Sequence, residues 1–227
     1  MKKIAIVVSP LILLFSCKGK TDEKKLEVNG VITNNPAKMI YLEEIPMTTM
    51  QRTVVDSAAL GKDGKFKLKT ATGEARVYNL RLDQNNYPLA AVINDVAKIT
   101  VNASFSKDNN QFPESYDVKG SPVSQEMKEY MTSFNNKLQL IIADAQKFDS
   151  LSGAGATDSV LQALQYNAAI TGDEVRNLTM DLLKKSSNPA LSMFVLGYYQ
   201  STSNYQGSGL KGMTNEEVTK IVEEAAA

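Results

Sequence analysis

The chain has 227 residues, with 25 basic and 25 acidic side chains and neither histidine nor tryptophan. Its zero formal charge removes the electrostatic reason to expect a nucleic-acid partner. The missing histidine excludes Ser-His-Asp and Cys-His nucleophilic chemistry and His-ligated metals, and the single cysteine excludes Cys-x-x-Cys redox chemistry, thiolate clusters and internal disulfides. No metal, cofactor or catalytic residue is expected, and any chemistry left to the chain would be that of carboxylates, lysines or tyrosines.

In chain order, the first element is an export segment, residues 1–17. Lys2 and Lys3 precede an apolar run from Ile4 to Phe15. About a dozen residues is too short to span a bilayer and suits a signal peptide. Leu14-Phe15-Ser16-Cys17 resembles the lipobox of bacterial lipoproteins. The resemblance implies that Cys17 carries a diacylglyceryl group and becomes the acylated first residue of the mature chain, with palmitate among its acyl groups. Lys18–Lys25 contains no apolar residue and reads as a tether. The expected location is the cell envelope, on a membrane facing the periplasm, the outer membrane ahead of the inner. The membrane is then a partner through the lipid anchor.

Residues 26–120 read as a β-rich domain of about eight strands, antiparallel and sandwich-like or an open barrel. In "KLEVNGVI", Leu26 and Val28 share one face. In "KFKLK", Phe66 and Leu68 point inward and Lys65, Lys67 and Lys69 outward. Tyr78, Leu80 and Leu82 lie on one face of "VYNLRL". Period-two alternation with one polar face is the pattern of an antiparallel sheet. Asp63-Gly64 in "GKDGKF" predicts a type I′ hairpin between the flanking strands.

The order of these segments carries a resemblance. Gly30-Val31-Ile32, "IYLEE", "VVDSAALGKDGKFKL", "YNLRL", "KITVNA" and "VKGSPVSQEM" resemble the domain of unknown function found at the N-terminus of many bacterial envelope lipoproteins. There it precedes a thioredoxin-like domain of the alkyl hydroperoxide reductase/thiol-specific antioxidant type. The resemblance implies a non-catalytic accessory module and, as partners, a covalently linked thioredoxin-like domain or other envelope proteins. Any thiol–disulfide or peroxide activity would belong to residues outside this chain.

Residues 121–227 read as three to four helices, so the fold class is α+β, β then α. Ser121 and Pro122 form a start signal, and Val123, Met127, Tyr130, Phe134, Leu138 and Ile141 give one apolar stripe. "SLSGAGAT" breaks it. Leu161, Leu164, Ala168, Val175, Leu178 and Leu182 mark a second helix, with Gly172 a weak point. Asn188-Pro189 starts a third, and Thr214 with Glu217 fits a capping box for a fourth. The last residues, "EEAAA", are helix-forming without a stop signal. The expectation is that this segment leads into a thioredoxin-like domain beyond Ala227.

Asp56-Ser57-Ala58, Asp149-Ser150-Leu151 and Asp158-Ser159-Val160 match the D-[ST]-[apolar] pattern of O-glycosylated proteins that this lineage resembles. Ser57, Ser150 and Ser159 are therefore candidate O-glycosylation residues. The simpler expectation for Asp56 and Ser57 is turn or ladder hydrogen bonding within a strand. Glu43-Glu44 and Glu216-Glu217 are expected to be solvated charge, since adjacent carboxylates cannot converge across a cleft. Phe112 and Tyr116 are expected to belong to a packed loop, with an aromatic ligand lip as the functional reading. Two functions stay open: the accessory module, and a stand-alone envelope lipoprotein whose β domain grips a peptide or glycan.

Overall fold

Alternating apolar residues build both sheets. The computed structural model describes residues 24–46, 51–109 and 111–226. Eight strands come first: β1 (Lys24–Thr33), β2 (Met39–Glu44), β3 (Thr53–Ala59), β4 (Lys65–Thr72), β5 (Val77–Leu82), β6 (Ala90–Ile93), β7 (Lys98–Ser104) and β8 (Ser115–Lys119). They form two four-stranded sheets, the first in the order β4-β1-β7-β8 and the second in the order β3-β2-β5-β6. Val28, Leu68, Ile99 and Val101 from the first sheet meet Ile40, Leu42 and Leu80 from the second, all fully buried. The fold is α+β, a two-sheet layer followed by helices, as the sequence predicts.

Three details differ from the expectation. β1 begins at Lys24, so Lys24 and Lys25 belong to a strand instead of the tether. β1 pairs with β7 in parallel, although the other pairings are antiparallel. At that contact a Cβ on Gly30 would lie 1.6 Å from the Val101 carbonyl oxygen, so only glycine fits where the two backbones meet. The Asp63-Gly64 turn is not a hairpin. It carries the chain from β3, at the edge of the second sheet, to β4, at the edge of the first. Gly64 alone takes a positive φ of 71°, and its N–H bonds to Gly61 O at 2.8 Å. That is a type I turn closed by a left-handed glycine, where type I′ needs two positive φ angles.

Four helices follow: α1 (Pro122–Gly153), α2 (Asp158–Lys185), α3 (Pro189–Ser203) and α4 (Asn215–Ala226). α1 and α2 form a long antiparallel hairpin. Each expected start is capped by its own side chain. Ser121 Oγ accepts from Ser124 N at 2.9 Å, and Asn188 Oδ1 from Leu191 N at 3.1 Å. Thr214 and Glu217 exchange backbone-to-side-chain bonds of 2.8 and 3.2 Å, a complete capping box. Phe134, fully buried, anchors a second core with Tyr130, Tyr198 and Tyr199 around it. Gly172 does not interrupt α2. It leaves room for the Gly209 carbonyl oxygen, which would lie 3.1 Å from a Cβ there.

The two parts are joined at the first turn of α1. Asp95 accepts from Ser121 Oγ and, at 3.2 Å, from Val123 N. Ser124 Oγ accepts the Ile93 N–H of β6 at 2.8 Å, and Gln125 Nε2 donates to Val118 O of β8 at 2.9 Å. β6 and β8 are edge strands of the two sheets, so α1 covers backbone groups that would otherwise be open for strand addition.

Candidate functional site

The polar outer face of the second sheet holds an ion pair that the sequence reading placed in solvent. Glu43 is only 2% exposed. Strand alternation puts it on the outer face with Tyr41, next to β5, where the register is regular through Glu43↔Asn79. Arg81 donates to Glu43 Oε1 from Nε at 2.9 Å and from Nη2 at 2.7 Å. Arg52 Nε lies 3.4 Å from the other carboxylate oxygen. The Arg81 guanidinium also stacks over Tyr41 at 4.7 Å. Its bonds to Glu43 hold Arg81 above the usual arginine range, against the opposing effect of burial.

This network fixes a loop. Arg81 Nη1 donates to the carbonyls of Leu82 and Asn85, and Arg52 Nη2 to that of Asn86. Asn85 Nδ2 in turn donates to Gln111 O at 2.8 Å and ties the β5–β6 loop to the β7–β8 loop. At the crest of these loops stand Tyr87, 55% exposed, and Phe112, 48% exposed. Their ring centroids are 5.7 Å apart and the planes are tilted by 34°. A tilted, exposed aromatic pair held from below by a buried charge network can stack against the apolar face of a sugar or a peptide side chain.

Phe112 and Tyr116 do not form one lip. Tyr116 packs against the sandwich core, and Lys128 of α1 sits 5.0 Å above its ring. Phe112's partner is Tyr87, which the sequence reading missed. The signal available was "DQNNYP", an aromatic residue inside a turn-forming run.

The other residues singled out from sequence are dispersed. Cys17 and the whole export segment lie outside the described residues. Ser57 is exposed on β3, Ser150 is exposed near the end of α1, and Ser159 is exposed in the first turn of α2. Ser150 and Ser159 therefore flank the α1–α2 turn, far along the chain from Ser57. Asp56 has both oxygens engaged, accepting from Ser57 N at 2.8 Å and Lys69 N at 2.6 Å. Glu44 pairs with Arg76, and Glu217 with Arg176. Among the described residues no group of three or more Cys, Asp and Glu side chains is arranged to hold a metal ion. No described helix is long and apolar enough to cross a membrane.

These features define a two-sheet β domain whose open edges at β6 and β8 are met by the first turn of α1, with an aromatic pair presented on its loops. Residues 26–127 match the family model described as a domain of unknown function, DUF4369. The matched segment ends within the first two turns of α1 and so includes the Ser121–Ser124 junction. The recognition made from "DSA…DGKF" and "VKGSPVSQEM" thus falls on the segment that the family model covers. No curated protein matches the chain.

Proposed function

We propose that this protein is a lipid-anchored module of the bacterial cell envelope, non-catalytic in itself and accessory to a thioredoxin-like domain. The observation that carries the anchor is the place of Cys17, one small residue (Ser16) after the Ile4–Phe15 run and before the polar Lys18–Glu23 segment. The redox association rests on the resemblance of roughly residues 26–227, with the order of segments such as "VVDSAALGKDGKFKL" and "VKGSPVSQEM", to domains that precede thioredoxin-like ones. On this reading the sandwich stands next to the membrane and the helices carry the partner domain outward. The test of the anchor is the mass of the N-terminal peptide from the membrane fraction. A peptide beginning at acylated Cys17 supports it, and an uncleaved or unacylated N-terminus sinks it. The redox association is tested by the reading frame downstream of Ala227, where a Cys-x-x-Cys in a βαβ context is expected.

A second reading has its own observation. The Tyr87–Phe112 pair favours a binding lipoprotein that takes a glycan or peptide by stacking. A panel of both ligand classes, titrated into the full chain and into Tyr87→Ala, decides it. Binding that Tyr87→Ala abolishes supports this reading, and binding that survives the change places the ligand elsewhere.

A further inference from the structure

The outer face of the first sheet concentrates positive charge in a chain that is neutral overall. Inward packing of Leu26, Val28, Phe66, Leu68, Ile99 and Val118 sends the alternate residues outward. Those residues include Lys25 on β1, Lys65, Lys67 and Lys69 on β4, Lys98 on β7 and Lys119 on β8. Among the described residues, the acidic groups on the same face are Glu27 and Asp117, with Asp63 in the adjoining turn. Glu27 alone faces Lys67 at 2.9 Å, Lys69 at 3.3 Å and Lys98 at 3.9 Å. One carboxylate cannot neutralise three ammonium groups, so net positive charge remains. The five lysines that pair with these acids have side chains 55–72% exposed. Between them lie Asn29, Thr100 and Asn102, polar and uncharged. A four-stranded sheet at about 4.8 Å spacing makes this a broad surface instead of a pocket. It suits an extended array of anions.

We propose that this lysine face docks on the anionic phospholipid headgroups of the membrane that holds Cys17. The inference rests on the anchor reading above, and chain length supplies its geometry. From Cys17 to Lys24 the chain reaches at most about 24 Å. Lys24 opens β1, which belongs to the lysine-bearing sheet, so the tether is long enough to let the outer face of this sheet reach the lipid. The charge of that face selects it over the second sheet, about 10 Å behind. Each lysine brought to an anionic surface raises partitioning about fivefold, and the attraction fades over about 10 Å at 0.1 M salt. The anchor supplies affinity and the lysines set orientation. The sandwich then lies with the first sheet against the membrane and the second sheet facing away.

The test uses the full chain in vesicles of phosphatidylglycerol with phosphatidylethanolamine, and in vesicles of phosphatidylcholine alone. Lysines are acylated by an amine-reactive reagent and read by peptide mass. Lys67, Lys69 and Lys98 are expected to react about threefold or more slowly on the anionic vesicles, and salt near 0.5 M should erase the difference. Lys184 and Lys211, exposed on the helical part, should react equally on both. Equal reactivity of the sheet lysines on the two vesicles overturns the proposal. So does equal protection on both, which would mean coverage without charge. The same digest reports the Cys17 peptide. An unacylated Cys17 refutes the anchor, while the lysine comparison on chain added from solution still decides the docking.

Discussion

The Asp56 carboxylate accepts the backbone N–H of Lys69 at 2.6 Å and so joins β3, the edge of one sheet, to β4, the edge of the other. On the opposite side Ser124 takes the Ile93 N–H of β6, and Gln125 reaches the Val118 carbonyl of β8. Both open sides of the sandwich are therefore closed by side chains bonded to edge backbone, which leaves fewer free groups for strand addition. This also gives Asp56 a structural task independent of any modification of Ser57.

Asp56→Ala should lower stability by about 1–2 kcal/mol, because Lys69 N–H loses a charged acceptor. Asp56→Asn keeps a carbonyl oxygen in place and should lose less than half as much. Urea unfolding measures both, and hydrogen exchange at Lys69 should quicken in the alanine variant alone. The asparagine variant also removes the D-S-A match at Ser57. If Ser57 is glycosylated, its peptide loses the added mass while the fold persists.

Gly30→Ala should cost about 3 kcal/mol or more. The new methyl would sit 1.6 Å from Val101 O, and neither backbone can move without parting β1 from β7. Gly73→Ala, where a Cβ meets nothing within 4 Å, is the control and should change thermal unfolding by less than about 1 kcal/mol. Equal stability of the two variants would refute the close β1–β7 contact.

How far the sequence could be read depended on the range of the interaction. Helix starts were legible because Ser121, Asn188 and Thr214 each cap within three residues of themselves. Strand faces were legible because alternation is local. The Asp63-Gly64 turn was legible as a turn, but turn chemistry does not say which strands pair, and here β3 and β4 belong to different sheets. Alternation predicts that Glu43 faces outward, but its burial there depends on Arg81, 38 residues away, and on Arg52. No local pattern contains that information. The Tyr87–Phe112 pair was hidden for the same reason, since two separate loops bring it together.

Arg81→Met should destabilise the β domain by about 3 kcal/mol. It strands the Glu43 carboxylate in a nearly closed site with only the more distant Arg52 beside it. Adding Glu43→Leu to Arg81→Met should restore much of the loss, since the charge left unpaired is then gone. Denaturant midpoints of the two single variants and the double variant give the coupling. The loop carrying Tyr87 should become more mobile in Arg81→Met, because Arg81 also holds the Asn85 carbonyl.

Docking of α4 should weaken in acid. The Thr214 N–H, and next to it the Arg176 guanidinium, hold the Glu217 carboxyl below its usual value. A carboxylate lowered on folding contributes stability above its unfolded pKa and loses it as pH falls through the lower folded value. α4 should therefore be held fully at neutral pH and loosen only below the ordinary carboxylate range. Glu217→Gln removes both the charge and the titration, so amide exchange in α4 should be faster at pH 7. It should also respond less to acid than in the parent chain. Arg176→Met should raise the Glu217 pKa without removing the Thr214 bond, moving the α4 transition to higher pH. An α4 exchange profile identical in the parent and Glu217→Gln across the acid range would show that Ile221 packing alone holds the helix.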